Sequence, residues 1–259
     1  MKHSVTFWSL PDAVKQSYAR SSVTTSQPKN SGYVGPGIEK LDYTKRVQEL
    51  REAYNITPRD GHCKWPDAEV PELRACVDQL MDQCKQLSLA VLSALNQHLP
   101  IEDKNVFVKS HFGLDNATTL RLLHYPPVAD NTEVGFPRCG EHSDYGSITL
   151  LFQDNVGGLE VRNRENEFVA AEYVKNAVLV NTGDLMENWT AGMIKAVKHR
   201  VLTPEIGSPL RRQHRYSMAY FVHPDDDFLI QPLISDPKAS QYDPVTAGNY
   251  LIKMFSKTY

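Results

Sequence analysis

HRYSMAYFVH, residues 214–223, reads as a strand: aromatic residues recur through it and no proline or glycine interrupts it. Strand alternation sends Arg215, Ser217, Ala219 and Phe221 to one face and Tyr216, Met218 and Tyr220 to the other. An inward guanidinium is an unpaired buried charge unless an anion meets it. Two anions fit: an internal carboxylate, making a salt bridge, or the carboxylate of a ligand. Arginine offers such a ligand a rigid fork, and Ser217 adds a hydroxyl beside it.

The same texture recurs upstream in TTLRLLHY (118–125), SITLLFQ (147–153), GLEVRN (158–163), AVLVN (177–181) and HRVLT (199–203), separated by turn material such as PPVADN, DNVGG and NTGD. Most of these runs lack a crossover helix between them, which argues against a parallel doubly wound sheet. The expectation is a mainly β fold with flanking α: a double-stranded β-helix, or jelly roll, whose core is packed by helices. In the first third, Leu73, Val77, Leu80, Cys84, Leu87, Val91 and Leu95 recur every three or four positions between Pro71 and Pro100. That spacing predicts one long amphipathic helix lying on a sheet. The stretch TSQPKNSGYVGPG (25–37) reads as a loop too short to divide the chain. A single domain over 1–259 follows, with a helical amino-terminal part at about 1–116 and the jelly-roll core at about 117–235.

Composition narrows the class. The 259 residues are 41% hydrophobic with a net charge of −3, enough for a sizeable core and without the basic block of a nucleic-acid binder. Small molecules are the expected partners. Cys63, Cys76, Cys84 and Cys139 have neither the CxxC spacing of a zinc site nor the density of a disulfide framework, which points to reduced thiols in the cytoplasm. No run is apolar enough for a signal peptide or a membrane span.

GEHSDYG (140–146) sets His142 and Asp144 two positions apart, so in extended backbone both side chains face one point while Ser143 faces away. His199, opening the downstream strand HRVLT, is the best third member. Two imidazoles and one carboxylate on one face leave three octahedral positions open, the pattern of non-haem Fe(II) oxygenases. His3, His62, His98, His111 and His223 carry no comparable pattern and are left as surface or locally hydrogen-bonded residues.

HSD, then His199, then RYS resembles the HxD…H…RxS signature of the iron(II)- and 2-oxoglutarate-dependent oxygenases. Within them the chain looks like the isopenicillin N synthase-like branch. LRLLHYPP (120–127), EHSDYGSITLLFQD (141–154), GGLEV (157–161), NTGDLMENWTAG (181–192), KHRVLTP (198–204) and the terminal TAGNYLIKMFSKTY extend the match. The resemblance implies that His142, Asp144 and His199 ligate Fe(II), and that Arg215, Ser217 and Tyr125 bind the distal carboxylate of 2-oxoglutarate. It also implies that Phe221 lines the substrate pocket. Leu123 stands where plant members carry an asparagine. The reaction implied is hydroxylation or desaturation of a small organic substrate by O2, with 2-oxoglutarate converted to succinate and CO2.

Two alternatives follow from the same residues. Isopenicillin N synthase and aminocyclopropane-carboxylate oxidase share RxS without using 2-oxoglutarate, so a cosubstrate-free Fe(II) oxidase fits the motif. An inactive binding protein fits the amino end, where FWSLP (7–11) arrives several dozen residues earlier than in family members. The expectation there is a truncated chain with an unpaired sheet edge and exposed apolar surface.

Overall fold

The computed structural model describes residues 1–20, 30–39, 41, 49–58, 63–113 and 116–258. The chain runs through two short helices, α1 (Lys2–Trp8) and α2 (Asp12–Ser17), and strands β1 (Gly32–Val34) and β2 (Glu52–Ile56), to the long helix α3 (Leu73–His98). After the single turn α4 (Val106–Lys109) come β3 (Thr119–Tyr125), β4 (Pro137–His142), β5 (Ile148–Gln153), β6 (Leu159–Arg162), β7 (Phe168–Ala170) and β8 (Leu179–Thr182). Helix α5 (Asp184–Trp189), strands β9 (His199–Leu202), β10 (Arg215–Val222), β11 (Leu229–Ile230) and β12 (Val245–Thr246), and helix α6 (Ala247–Thr258) follow. The large sheet has the order β1-β2-β3-β10-β5-β8 and the smaller one β4-β9-β6-β7. Every pairing in both is antiparallel. This is the expected jelly roll with helices packed outside.

Alternation along β3, β5 and β10 separates two cores. Even-numbered Leu120, Leu122, Ile148, Leu150, Met218, Tyr220 and Val222 join Leu73, Val77 and Leu92 of α3 in the larger apolar cluster. Odd-numbered Leu123, Tyr125 and Ala219 join Cys139, Leu159 and Val201 of the small sheet in the other. Each large apolar side chain buried in the helical core contributes about 1.5–3 kcal/mol.

The α3 stripe is shifted from its expected line. Leu73, Val77 and Cys84 are buried as expected, but Leu87 is 39% exposed, and the buried line continues through Met81, Ser88, Leu92 and Asn96. Asn96 faces inward because it is saturated there: its Nδ2 donates to Asp103 O at 2.9 Å and its Oδ1 accepts from Phe107 N at 2.7 Å. A satisfied buried amide costs little, so apolar count alone misplaces the face.

The amino-terminal part is not purely helical, because β1 and β2 extend the large sheet. In EAYNI (52–56), Tyr54 and Ile56 enter the larger apolar core and Ala53 the smaller one, while ion pairing and hydrogen bonds satisfy the interleaved Glu52 and Asn55. Glu52 accepts from Lys15 Nζ at 2.8 Å, from His124 Nδ1 at 2.6 Å and from the Tyr33 hydroxyl. β1 is one edge of the large sheet, and its outer side is met by the chain after α2: Arg20 N donates to Tyr33 O at 2.9 Å and Tyr33 N to Tyr18 O at 2.8 Å. Phe7 and Trp8 of FWSLP are buried in the larger core. All four cysteines are unbridged, and no described helix is long and apolar enough to cross a membrane. His62 and residues 25–29 of the expected loop lie outside the described residues.

Glu52 generates a stability prediction. Burial works against its charge, but His124, Lys15 and Tyr33 outweigh burial and hold its pKa at about 2, below the ordinary 4.5. A depressed carboxylate contributes stability that is complete above its unfolded value and lost as pH falls through the folded one. Glu52→Gln is expected to lower unfolding free energy by about 3–5 kcal/mol at pH 7, because Lys15 loses its buried counter-charge. The deficit should shrink as pH falls from about 4.5 toward 2. Urea unfolding across that range checks it; a pH-independent deficit would contradict the assignment.

Candidate active site

Between the two sheets lies a cavity lined by Leu123 and Tyr125 of β3, Thr149 and Leu151 of β5, Asn181 of β8, His199 and Val201 of β9, and Arg215, Ser217, Ala219 and Phe221 of β10. All are odd-numbered, as a period of two requires once one face of each strand is fixed. His142 and Asp144 also line it but are even-numbered. The ladder of β4 on β9 explains the change. Cys139 pairs with Val201 and His142 with His199, so three steps on β4 match two on β9. This bulge inserts one residue and reverses which parity faces inward.

Three donors converge there. His142 and His199 face each other across the ladder, with ring centroids 4.2 Å apart. Asp144 Oδ1 lies 3.9 Å from His142 Nε2 and 3.7 Å from His199 Nε2. The candidate ligand atoms of the three residues all fall within 4.8 Å of one another. His142 Nδ1 lies 2.8 Å from Gly140 O, and His199 Nδ1 lies 3.0 Å from Val197 O. A carbonyl only accepts, so each Nδ1 carries the proton and donates it, leaving both Nε2 lone pairs directed at Asp144. Burial lowers the pKa of both imidazoles from the ordinary histidine value. Burial pushes Asp144 up, but His199, His142 and the Thr149 and Asn181 donors outweigh it and hold the carboxyl below its ordinary value. Two neutral imidazoles and a carboxylate are the donor set that a divalent first-row metal takes.

The second constellation adjoins the first in the same cavity. Arg215 is 1% exposed. Its Nε donates to Gly157 O at 2.8 Å, Nη2 to Gln153 Oε1 at 3.0 Å, and Nη1 to Ser217 Oγ at 3.3 Å. Its Cζ stacks 4.8 Å from the centre of the Tyr125 ring. The internal salt bridge that the sequence left open does not form among the described residues: every one of these partners is neutral. The other two arginines lining the cavity are compensated. Arg51 pairs with Glu39 and Glu49 at 2.9 Å, and Arg121 with Glu39 at 2.7 Å. Uncompensated positive charge in the cavity is therefore concentrated at Arg215, beside a hydroxyl and an aromatic ring.

Phe221 borders both this cavity and an adjoining one that also touches His142, Asp144, Tyr145, His223 and Phe255. Two histidines without a motif are buried: His223 on that second cavity, and His111, whose Nδ1 bonds locally to Phe107 O and whose pKa burial lowers to about 4. His98 is exposed, with Nδ1 on Ala94 O. Sequence reasoning missed Thr149, Gln153 and Asn181, although parity within SITLLFQ and AVLVN places all three on the cavity face once Thr149 is fixed.

The family model for the 2OG-Fe(II) oxygenase superfamily matches residues 116–224. A 2-oxoglutarate-Fe(II) type oxidoreductase of Metarhizium rileyi is 31% identical over 274 residues, covering 98% of this chain and 76% of the relative. A proline hydroxylase of Petromyces alliaceus is 32% identical over 273 residues, covering 98% and 82%. Among solved structures, a full-length Neurospora crassa protein in complex with alpha-KG (2-oxoglutarate) superposes with a TM-score of 0.82 at 32% identity, covering 98% of this chain and 80% of that one. With the donor triad and the anion-seeking arginine in one cavity, these matches make the chain a member of the 2-oxoglutarate- and Fe(II)-dependent oxygenases, an oxidoreductase that uses O2 and 2-oxoglutarate.

Proposed function

We propose that His142, Asp144 and His199 ligate Fe(II) and that Arg215, Ser217 and Tyr125 hold the distal carboxylate of 2-oxoglutarate, in an enzyme of the isopenicillin N synthase-like branch acting in the cytoplasm on a small organic molecule. The observation that carries this reading is the buried Arg215 with only neutral partners, opening into the cavity that the triad lines. A cosubstrate-free oxidase would have to meet that charge with a carboxylate of its own substrate, and an inactive binding protein leaves the oriented Nε2 atoms without a use. Bound iron with 2-oxoglutarate supplies the oxidising chemistry. The chain supplies the rest: Gly140 and Val197 carbonyls orient the imidazoles, Arg215 and Ser217 fix one end of the cosubstrate, and Leu123, Leu159 and Val201 exclude water around it. The substrate is placed in the adjoining cavity between Phe221, Tyr145 and Phe255. The Neurospora crassa relative, solved also with thymine at 31% identity, supports a small substrate.

Two measurements test the assignments. Asp144→Ala is expected to weaken Fe(II) binding by more than about 100-fold, since losing a ligand exceeds the effect typical of its supporting hydrogen bonds. Asp154→Ala should bind iron normally yet be less stable, because Asp154 accepts from Tyr216 N and Val156 N. Equal iron occupancy in the two variants by metal analysis would contradict the triad.

Arg215→Lys keeps the charge and loses the fork. The expected result is an affinity for 2-oxoglutarate about ten-fold weaker or worse, with iron binding intact. Titrating the charge-transfer band of the anaerobic Fe(II)–2-oxoglutarate complex reads it. A wild-type protein without that band at saturating 2-oxoglutarate would favour the cosubstrate-free reading.

A further inference from the structure

NTGD (181–184) follows β8 and closes against the back of the HSD segment. Gly183 N donates to Ser147 O at 3.0 Å and Asp184 N to Asp144 O at 2.8 Å. Residue 183 must be glycine for this approach, because a Cβ there would stand 2.6 Å from Asp144 O and 2.5 Å from Gly146 O. The carboxyl-terminal helix joins the clamp, with the Tyr250 hydroxyl donating to Asp184 Oδ2 at 2.7 Å. The main chain of Asp144 is thereby fixed, which leaves the orientation of its carboxylate to its own partners.

Those partners bind one oxygen only. Asn181 Nδ2 donates to Asp144 Oδ2 at 2.7 Å, and Thr149 Oγ1 donates to the same atom at 2.6 Å. They come from neighbouring strands, since Thr149 and Asn181 are direct partners in the β5–β8 ladder. Oδ1 is the oxygen turned toward the two imidazoles. A carboxylate oxygen accepting two short hydrogen bonds has its in-plane lone pairs occupied and cannot also chelate a cation.

We infer that Thr149 and Asn181 are positioning residues that saturate Oδ2 of Asp144 and so hold it to a single metal donor, Oδ1. The inference rests on the triad proposed above. Its consequence is a fixed count of three protein ligands, leaving three of six octahedral positions to cosubstrates. Without the pair, the carboxylate can rotate and offer both oxygens, occupying a position that the chemistry needs.

Co(II) is the probe, because its visible ligand-field absorption changes with coordination number and no turnover is required. Wild type and Asp144→Ala come first: cobalt binding that survives Asp144→Ala unchanged removes the triad itself. With the triad established, Thr149→Val, which is isosteric and strand-favouring, is measured alone and with Asn181→Leu. The double variant is expected to bind Co(II) about 10–100-fold more weakly. Its spectrum in saturating 2-oxoglutarate should also change in intensity, with Thr149→Val moving in the same direction. Thr149→Ser keeps the hydroxyl and should retain wild-type affinity and spectrum. Thermal midpoints of the metal-free proteins verify folding, and Thr149→Val carries the test where the double variant is unstable. A folded Thr149→Val with wild-type affinity and spectrum would overturn the inference. So would a Thr149→Ser that fails as Thr149→Val does, since only side-chain packing would then be at stake.

Discussion

Side chains on a strand alternate, and this constraint assigns almost every residue of the site. β3, β5 and β10 lie side by side in the large sheet, so fixing one residue fixes the face of all three. Even positions supply the apolar surface that α3 covers, and odd positions supply the cavity wall. A one-residue slip would exchange Arg215 and Ser217 for Tyr216 and Met218, exposing the core and burying nothing able to bind an anion. Stability of the helical core and chemistry of the cavity are therefore set by one register. The ladder of β4 on β9 shifts register twice, and the second shift, between Cys139 and His142, is where the imidazole of His142 is needed opposite that of His199.

Buried charge follows a second rule. Lys15, Arg51 and Arg121 are buried and each meets a carboxylate: Glu52 for the first, Glu39 and Glu49 for the others. Arg138 and Arg211 donate instead to backbone carbonyls through their terminal nitrogens, with each Nε left without an acceptor among the described residues. Arg215 combines burial, neutral partners and a cavity in front of it. The ion pairs at the amino end also explain why β2 can be buried despite carrying Glu52 and Asn55. Asn55 sits between the Arg121 and Asn30 side chains, accepting from one and donating to the other.

The site was more legible in the sequence than the fold around it. HSD, His199 and RYS stand out by residue type and spacing, Tyr125 follows from the family resemblance alone, and the structure brings His142, Asp144, His199, Arg215, Ser217 and Tyr125 to one cavity. The six strands read from apolar alternation formed within a residue or two of their expected limits. β4 was missed because PRCGEH contains a proline and a glycine and is bulged. β1 was missed because its three residues, GYV, lie inside the Gly/Pro/Ser-rich stretch read as a loop, and β2 because Glu52 and Asn55 are satisfied only by partners distant in sequence, which no local window can register. The face of α3 drifted for the same reason: Asn96 is inside only because Asp103 and Phe107 receive it. Asn181 and Thr149 are ordinary strand residues until β5 and β8 pair and both point at Asp144 Oδ2.

The site proposed here is one arrangement of iron and cosubstrate in one cavity, and diffraction can locate both. Crystals grown without oxygen in Fe(II) and 2-oxoglutarate, measured at the iron absorption edge, are expected to show one anomalous peak within bonding distance of His142 Nε2, Asp144 Oδ1 and His199 Nε2. The far carboxylate of 2-oxoglutarate should lie against Arg215 and Ser217. An iron peak away from these three atoms, or a cosubstrate whose carboxylate leaves Arg215 with its neutral partners alone, would contradict the assignment.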